Sequence, residues 1–366
     1  MSAPRSLASA RALAEAMLGA ALGAAEIVNR IYHEADRGVT FKVGDDPVTR
    51  ADHEANAFLL DALGRIAPGV VLVAEESDPA SYAGYAEADA AFFIDPLDGT
   101  REFVAKNGEF CVMVGFAEAG RATVGVVACP SWAEAFLGAS LGEGAERGFA
   151  ERALPGGRRE PIHVSSTESL GDARGLISRS HKSAATDAVL ARLGAKELVP
   201  YGSAGLKALQ VATGAFDFYA HPGPSGMLWD SCAPEAIVRG AGGLLTDAAG
   251  VAIDYRRPTL ANERGVLAAG LALHGRGVEV LAPFVPGASP SRACRSAPCA
   301  APQGPLPPRR TPPEVNPMTT LRTLTLSLLL VTTRAVAGPC DDVASTVRQT
   351  NELRRRGAHD AAVTRL

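Results

Sequence analysis

The stretch Phe92-Phe93-Ile94-Asp95-Pro96-Leu97-Asp98-Gly99-Thr100 places two carboxylates three residues apart, after an apolar run and before Gly-Thr. The run from Ala91 to Ile94 reads as the end of a buried strand. Pro96 is expected to force the chain out of the ladder, leaving Asp95 and Asp98 on the turn that follows. Two acidic groups held this close repel each other, cannot be buried unpaired, and invite a hard cation. Gly99 permits a tight turn, and Thr100 can cap a following helix whose free N–H groups then face an anion. Two readings are open: a metal pair beside a phosphate cradle, or an acidic turn with an aspartate helix cap.

Other acids fall at comparable places. Glu75-Glu76 follows the apolar run Val70 to Ala74, so a second carboxylate pair ends a strand. Asp230 stands where a helix reading to about Arg239 begins. An array of Glu75, Asp95, Asp98 and Asp230 suits chemistry on phosphate. Mg²⁺ prefers a few carboxylates plus water and substrate oxygens. Two such ions can activate a water and neutralise a leaving oxygen, and phosphoryl transfer depends on electrostatic stabilisation. Lys42, Asp46 and Asp52 form a further charged set ahead of a helix from Asp52 to Ile66, capped by Thr49 or Asp52. By themselves they read equally as solvated loop charge plus capping.

The positioning elements follow from the apolar pattern. Leu7, Leu13, Met17, Leu18, Ala21, Leu22, Ala25, Val28 and Ile31 lie on one broad face of a helix from about Ser6 to Asp36. Phe110 to Ala117, Thr123 to Cys129 and Trp132 to Gly138 read as a strand meander, and Leu141 to Pro161 as a loop or domain boundary. The second half alternates: strand Gly175 to Ser178, helix Ala184 to Leu193, strand Glu197 to Tyr201, helix from Gly202 to Thr213, strand Phe216 to Ala220, the Asp230 helix, and strand Leu244 to Asp247. That rhythm implies an α/β layer. The chain has 366 residues, 47% hydrophobic, enough for a large core. A net charge of −4 gives no electrostatic reason to expect nucleic acid. Six scattered cysteines make no paired or zinc-type spacing, and Cys111, Cys129 and Cys232 are expected as reduced core thiols of a cytoplasmic protein.

At the acidic motifs the sequence resembles the lithium-sensitive, magnesium-dependent phosphatase superfamily that includes inositol monophosphatase. DPLDGT at Asp95 to Thr100 is similar to its central motif, EES at Glu75 to Ser77 to the upstream one, and WDSCAPEAI at Trp229 to Ile237 to the downstream one. The likeness covers roughly Leu7 to Val285. Within that superfamily the closer resemblance is to 3′(2′),5′-bisphosphate nucleotidases. It is carried by KVGDDPVTRAD at Lys42 to Asp52, DGTREFVAKNGEF at Asp98 to Phe110, SRSH at Ser178 to His181, GSAGLK at Gly202 to Lys207 and HPGPSGMLWDSCAPE at His221 to Glu235. The Glu that inositol monophosphatases carry shortly before the WD motif has no counterpart between His221 and Met227.

The resemblance implies a layered α-β-α-β-α sandwich. A metal-bearing N-terminal half (1–160) would lie on a large antiparallel sheet, with an α/β half (161–285) beside it. It implies that Glu75, Asp95, Asp98 and the Leu97 carbonyl hold Mg²⁺, with Asp230 on a second ion. Asp52 would help a third ion or orient the attacking water together with Thr100, and with Glu75 these two complete the catalytic set. The Gly99 and Thr100 N–H groups would cradle the scissile phosphate. Ser178, His181, Ser203 and Lys207 would hold the rest of a nucleotide bisphosphate. The implied activity is removal of the 3′-phosphate from adenosine 3′,5′-bisphosphate. Inositol-1-monophosphatase is the alternative, and a non-catalytic nucleotide- or metal-binding protein the rival of another class. The expected partner is a small phosphate ester, with no nucleic acid, no stable membrane association, and a monomer or homodimer.

Residues 286–366 break the pattern. The first part is Pro-, Ala-, Arg- and Ser-rich and is expected to be disordered. From Met318, Arg322, the apolar run Leu324 to Val331 and Ala335-Val336-Ala337 resemble a signal peptide in an internal position, too short to span a bilayer. The expectation is a second reading frame fused to the first protein, or else an ordinary disordered tail.

Overall fold

Ser6 caps the first helix, α1 (Leu7–His33), by accepting from the Ser9 N–H. The buried stripe of α1 is rich in alanine, with Ala10, Ala14, Ala21 and Ala24 fully enclosed, so its neighbours approach closely. By length and composition α1 could cross a membrane, but this stripe is packed into the protein core. The computed structural model describes residues 6–42, 46–142, 148–180 and 183–287. His181 and everything from 288 onward, including the run from Met318, lie outside the described residues.

A hairpin of β1 (Thr40–Lys42) and β2 (Asp46–Val48) leads into α2 (Arg50–Ile66). A seven-stranded sheet follows in sequence order: β3 (Val71–Ala74), β4 (Ala90–Asp98), β5 (Cys111–Glu118), β6 (Arg121–Cys129), β7 (Glu134–Ser140), β8 (Gly148–Ala153) and β9 (Arg159–Pro161). Only β3 on β4 is parallel. The short helix α3 (Thr100–Val104) joins β4 to β5. The remaining elements are β10 (Arg174–Ser178), α4 (Ala184–Ala191), β11 (Glu197–Tyr201), α5 (Ala204–Ala212), β12 (Phe218–His221), α6 (Leu228–Gly240), β13 (Gly243–Thr246), β14 (Val266–Gly270) and α7 (Leu271–Leu281). Their strands form a five-stranded sheet in the order β11-β10-β12-β14-β13.

Both faces of the first sheet are apolar, and successive residues serve different layers. Phe92, Ile94, Val112 and Val114 join the core under α1 and α2. Phe93 and Met113 point the other way, into a core shared with α5, α6 and the second sheet. The outer face of the second sheet packs with α4 and α7. The result is the layered α-β-α-β-α sandwich implied by the motifs.

Two expectations are corrected, and two elements had not been read. Leu141 to Pro161 is not a plain loop, because β8 and β9 extend the sheet there. Their polar composition serves ion pairs, Arg152 with Glu160 and Arg159 with Glu15, which hid the strand pattern. β4 does not stop at Ile94. Its ladder with β5 continues through Asp95↔Met113 and resumes at Asp98↔Cys111 after a bulge. Pro96 falls inside that bulge, where a residue without an N–H removes no ladder bond. Finally, β14 and α7 had no reading from the sequence.

One packing feature sets the position of α6. Gly115, Gly125 and Gly138 stand opposite one another on β5, β6 and β7. A Cβ at Gly115 would lie 2.6 Å from the Ala233 nitrogen, one at Gly125 would collide with the Ala233 backbone, and one at Gly138 would lie 2.9 Å from the Ile237 Cα. The three glycines therefore form a bare lane in which the helix backbone lies on the sheet. Gly125→Ala should destabilise the protein by about 1–3 kcal/mol, since the helix must lift to admit one methyl. A lowered urea midpoint with an unchanged m-value is the expected readout; an unchanged midpoint would show that the lane tolerates bulk.

Candidate active site

The bulge in β4 aims its acids. The Leu97 N–H donates to Asp95 Oδ1 at 2.9 Å, which fixes that carboxylate against its own turn. Asp98 Oδ2 accepts from the Ser203 hydroxyl at 2.5 Å and from the Gly205 N–H at 2.7 Å, so the first turn of α5 closes on it. A positive helix end next to an anion is favourable. Asp230 sits in the first turn of α6, and its Oδ2 accepts from the Met227 N–H at 2.5 Å. One carboxylate oxygen from each of Asp95, Asp98 and Asp230 lies within 4.8 Å of the others.

Asp95 and Asp98 are only 1% and 9% exposed. Burial pushes Asp95 well above the usual carboxylate range, and Glu75 and Asp98 push it the same way. Asp230 is pushed up to about 7 by burial and then by Asp98. Glu75 is pushed up to about 8 by burial and Asp230, against the pull of Lys42, whose Nζ donates to Glu75 at 3.2 Å and to Glu76 at 2.5 Å. The donor set is all hard oxygen, clustered, and mutually repulsive. It fits a divalent cation of the Mg²⁺ kind.

Asp52 is buried and completes a capping box with Thr49, accepting the Thr49 N–H at 2.7 Å and hydroxyl at 2.6 Å on Oδ2. Its other oxygen faces Thr100, whose Oγ1 lies 3.1 Å from Asp52 Oδ1 and 3.1 Å from the Leu97 carbonyl. Thr49 is thus the helix cap, and Asp52 is both its partner in the capping box and a group at the acidic turn, not a solvated loop charge. Burial raises its pKa to about 6. Thr100 is the first residue of α3 and not its cap. Gly99 holds the cap position at φ +92°, with no side-chain cap bond. A Cβ on Gly99 would lie 2.6 Å from the Glu109 carbonyl, so glycine is required there twice over. Phe103 and Phe110 lock the turn to α1 through Tyr32, with ring centroids 5.2 and 4.7 Å away.

A cavity of about 360 Å³ opens over this cluster. Glu75, Asp95, Leu97, Asp98, Gly99, Thr100 and Asp230 line it, together with Ser178, Ser180, Ser203 and Lys207. The structure therefore brings together every sequence-read site residue it describes except Asp52, which stands behind Thr100. Lys207 is 4% exposed. Its Nζ donates to the Ser203 carbonyl at 2.7 Å and lies 5.0 Å from the Tyr219 ring centroid. Burial lowers its pKa against the pull of Asp98. It supports the floor of the cavity from beneath and is not a solvated helix lysine. Met227, read as packing, is 38% exposed on the cavity rim.

Sequence reasoning missed the second tier. Ser203 is at φ +57° and ψ +127°, a conformation that costs a serine roughly 1–3 kcal/mol. Glu102 and Glu109 are buried. Glu102 accepts from the Ser180 hydroxyl at 2.7 Å, and Glu109 from Arg179 Nη2 and the Gly202 N–H, each at 2.7 Å. The extension after Thr100, read as leaning the site toward a nucleotide, therefore spends both its acids on joining the two sheets. The signal for this was an acid directly before an aromatic core residue, as in Glu102-Phe103 and Glu109-Phe110.

Comparison with known proteins places this geometry. Residues 9–282 match the model of the inositol monophosphatase family. The 3′(2′),5′-bisphosphate nucleotidase CysQ of Escherichia coli strain K12 is 34% identical over 220 residues, covering 59% of this chain and 82% of that protein. Human 3′(2′),5′-bisphosphate nucleotidase 1 is 29% identical over 277 residues, covering 66% and 85%. Among solved structures, CysQ from Bacteroides thetaiotaomicron superposes with a TM-score of 0.57 at 28% identity, covering 70% of this chain and 96% of that one. An inositol monophosphatase from Anabaena gives 0.60 at 26%, covering 75% and 97%.

The raised carboxyl pKa values set a pH dependence for the metal-free protein. The folded state keeps protons on Asp52, Asp230 and Glu75 up to about pH 6, 7 and 8. The unfolded chain releases them near pH 4. The native state binds more protons throughout that window, so stability falls as pH rises through it. The melting temperature of chelator-treated protein should decline from pH 5 to pH 8, and millimolar Mg²⁺ should flatten the decline. A flat profile without metal would contradict the electrostatic account.

Proposed function

Because the chain belongs to the inositol monophosphatase family, we propose that this phosphatase removes the 3′-phosphate from adenosine 3′,5′-bisphosphate, giving AMP and inorganic phosphate. The observation that carries the proposal is the Asp95–Asp98–Asp230 cluster lining a cavity that Ser178, Ser180, Ser203 and Lys207 also line. The nucleotidases matched above support the choice of substrate. So does the rim at Ser225, Gly226 and Met227, which offers no carboxylate to inositol hydroxyls.

We assign Glu75, Asp95, Asp98, Asp230 and the Leu97 carbonyl to holding Mg²⁺, which supplies a Lewis acid for water and charge neutralisation for the phosphoryl oxygens. The protein's own part begins at Thr100. Its single proton can serve either Asp52 or the Leu97 carbonyl. With that carbonyl engaged elsewhere, the hydroxyl turns to Asp52 and offers its lone pairs to a water. The Thr100–Asp52 pair thereby orients the water and draws its proton away as the oxygen attacks phosphorus and the bond to the 3′-oxygen breaks. The N–H groups of Gly99 and Thr100 receive the scissile phosphate at the uncapped start of α3. Ser178, Ser203 and Lys207 lie on the wall that takes the remainder of the nucleotide. His181 belongs to the same Ser178–His181 stretch and is assigned there from the sequence alone.

Purified protein with Mg²⁺ should release phosphate from adenosine 3′,5′-bisphosphate with a higher kcat/KM than from inositol 1-phosphate. The reverse order would make the chain an inositol monophosphatase. Thr100→Ala and Asp52→Asn should each lower kcat by roughly 10²–10⁴-fold, the range for losing acid–base assistance. A loss confined to KM would remove both residues from the chemical step.

A further inference from the structure

Glu109 is 2% exposed and carries a charge into the joint between the two sheets. Its Oε1 takes the Arg179 guanidinium at 2.7 Å and its Oε2 takes the Gly202 N–H at 2.7 Å. Its backbone carbonyl presses on Gly99, the turn residue beside Asp98. Gly202 packs so closely on the Glu102 side chain that no Cβ would fit there. The residue held next in line is Ser203, at positive φ.

Ser203 links this joint to the acidic cluster. Its oxygen accepts the Leu206 N–H at 3.0 Å, which leaves the hydroxyl proton for Asp98 at 2.5 Å. The same Asp98 oxygen receives the Gly205 N–H. Without its acceptor, the Gly202 N–H would be buried and unpaired, and one of the bonds that hold the strained Ser203 in place would be lost. The Ser203 hydroxyl would then hold Asp98 less firmly. The path from Arg179 through Glu109, Gly202 and Ser203 to Asp98 is continuous in hydrogen bonds and covalent bonds.

We propose that Glu109 is a positioning residue for the cation site: it holds Ser203 in its strained conformation so that the serine hydroxyl orients Asp98. This rests on the reading of Asp98 as a metal ligand. A carboxylate oriented by two donors presents its free oxygen in one direction, and loss of such support weakens metal binding or turnover by roughly 10–100-fold. A role confined to joining the sheets would lower thermal stability and leave the cation site alone.

The test uses the full chain and Mn²⁺ as the probe, with free Mn²⁺ followed by electron paramagnetic resonance. Glu109→Ala should weaken Mn²⁺ binding by about tenfold or more. It should lower kcat by a comparable factor and change KM for the phosphate ester little. Glu109→Gln keeps an acceptor for Gly202 and should fall between wild type and Glu109→Ala. Arg179→Ala supplies a second route to the same effect if Glu109→Ala does not fold. Mn²⁺ affinity and kcat within twofold of wild type in Glu109→Ala, or in Arg179→Ala where Glu109→Ala does not fold, with a lowered melting temperature, would overturn the proposal. Asp98→Asn separates the two levels. If it weakens Mn²⁺ binding while the Glu109 variants do not, only the positioning role falls. If it binds Mn²⁺ as well as wild type, the metal reading of Asp98 falls and takes this proposal with it.

Discussion

Mutual repulsion among buried carboxylates is the constraint on which the rest of this structure depends. Asp95, Asp98 and Asp230 converge from two elements that are distant in sequence, with Glu75 beside them. In a low-dielectric interior the charges oppose their own assembly. The fold holds them together by giving each one a backbone donor: Leu97 for Asp95, Gly205 for Asp98, Met227 for Asp230. These bonds hold direction but leave the charge, and the raised pKa values record what is left. A site made this way is complete only with a cation, which is a physical reason for it to bind one.

Convergence needs backbones that approach closely. The bare lane of Gly115, Gly125 and Gly138 lets α6 lie on the first sheet, which carries Asp230 toward β4. Gly205 does the same for α5. A Cβ there would lie 2.5 Å from Met113 Sδ and 2.8 Å from Cys111 Sγ, so no other residue lets the helix start reach Asp98. The bulge at Pro96 and Leu97 turns β4 so that Asp95 and Asp98 can share one ion without facing opposite sides of the sheet. Small residues and one irregular strand thus do the work of placement.

This explains what the sequence disclosed and what it withheld. Asp95, Asp98, Glu75 and Asp230 were legible because acids at the ends of apolar runs are rare and chemically pointed. The sandwich was legible from the family resemblance of the acidic motifs, and the α/β layer of the second half from its strand–helix rhythm. β8 and β9 were not, because edge strands that carry ion pairs look like loops. The real end of β4 was hidden because Pro normally ends a strand, and only the partner's register shows that a bulge absorbs it. The burial of Lys207 was not legible, because it depends on a neighbouring sheet that local pattern does not reveal.

The acids of the Asp98–Phe110 stretch divide between two tasks that look the same in sequence. Asp98 and Glu102 line the cavity, Glu102 accepting from Ser180, while Glu109 turns to Arg179 and Gly202 at the second sheet. Glu109 is therefore spent on joining the sheets. Substrate selection is left to the groups that line the cavity beyond the acidic cluster, among them Ser178, Ser180 and the rim from Ser225 to Met227. These are hydroxyls, backbone and a thioether, which suit a flat apolar base and a sugar better than a ring of hydroxyls that calls for a carboxylate.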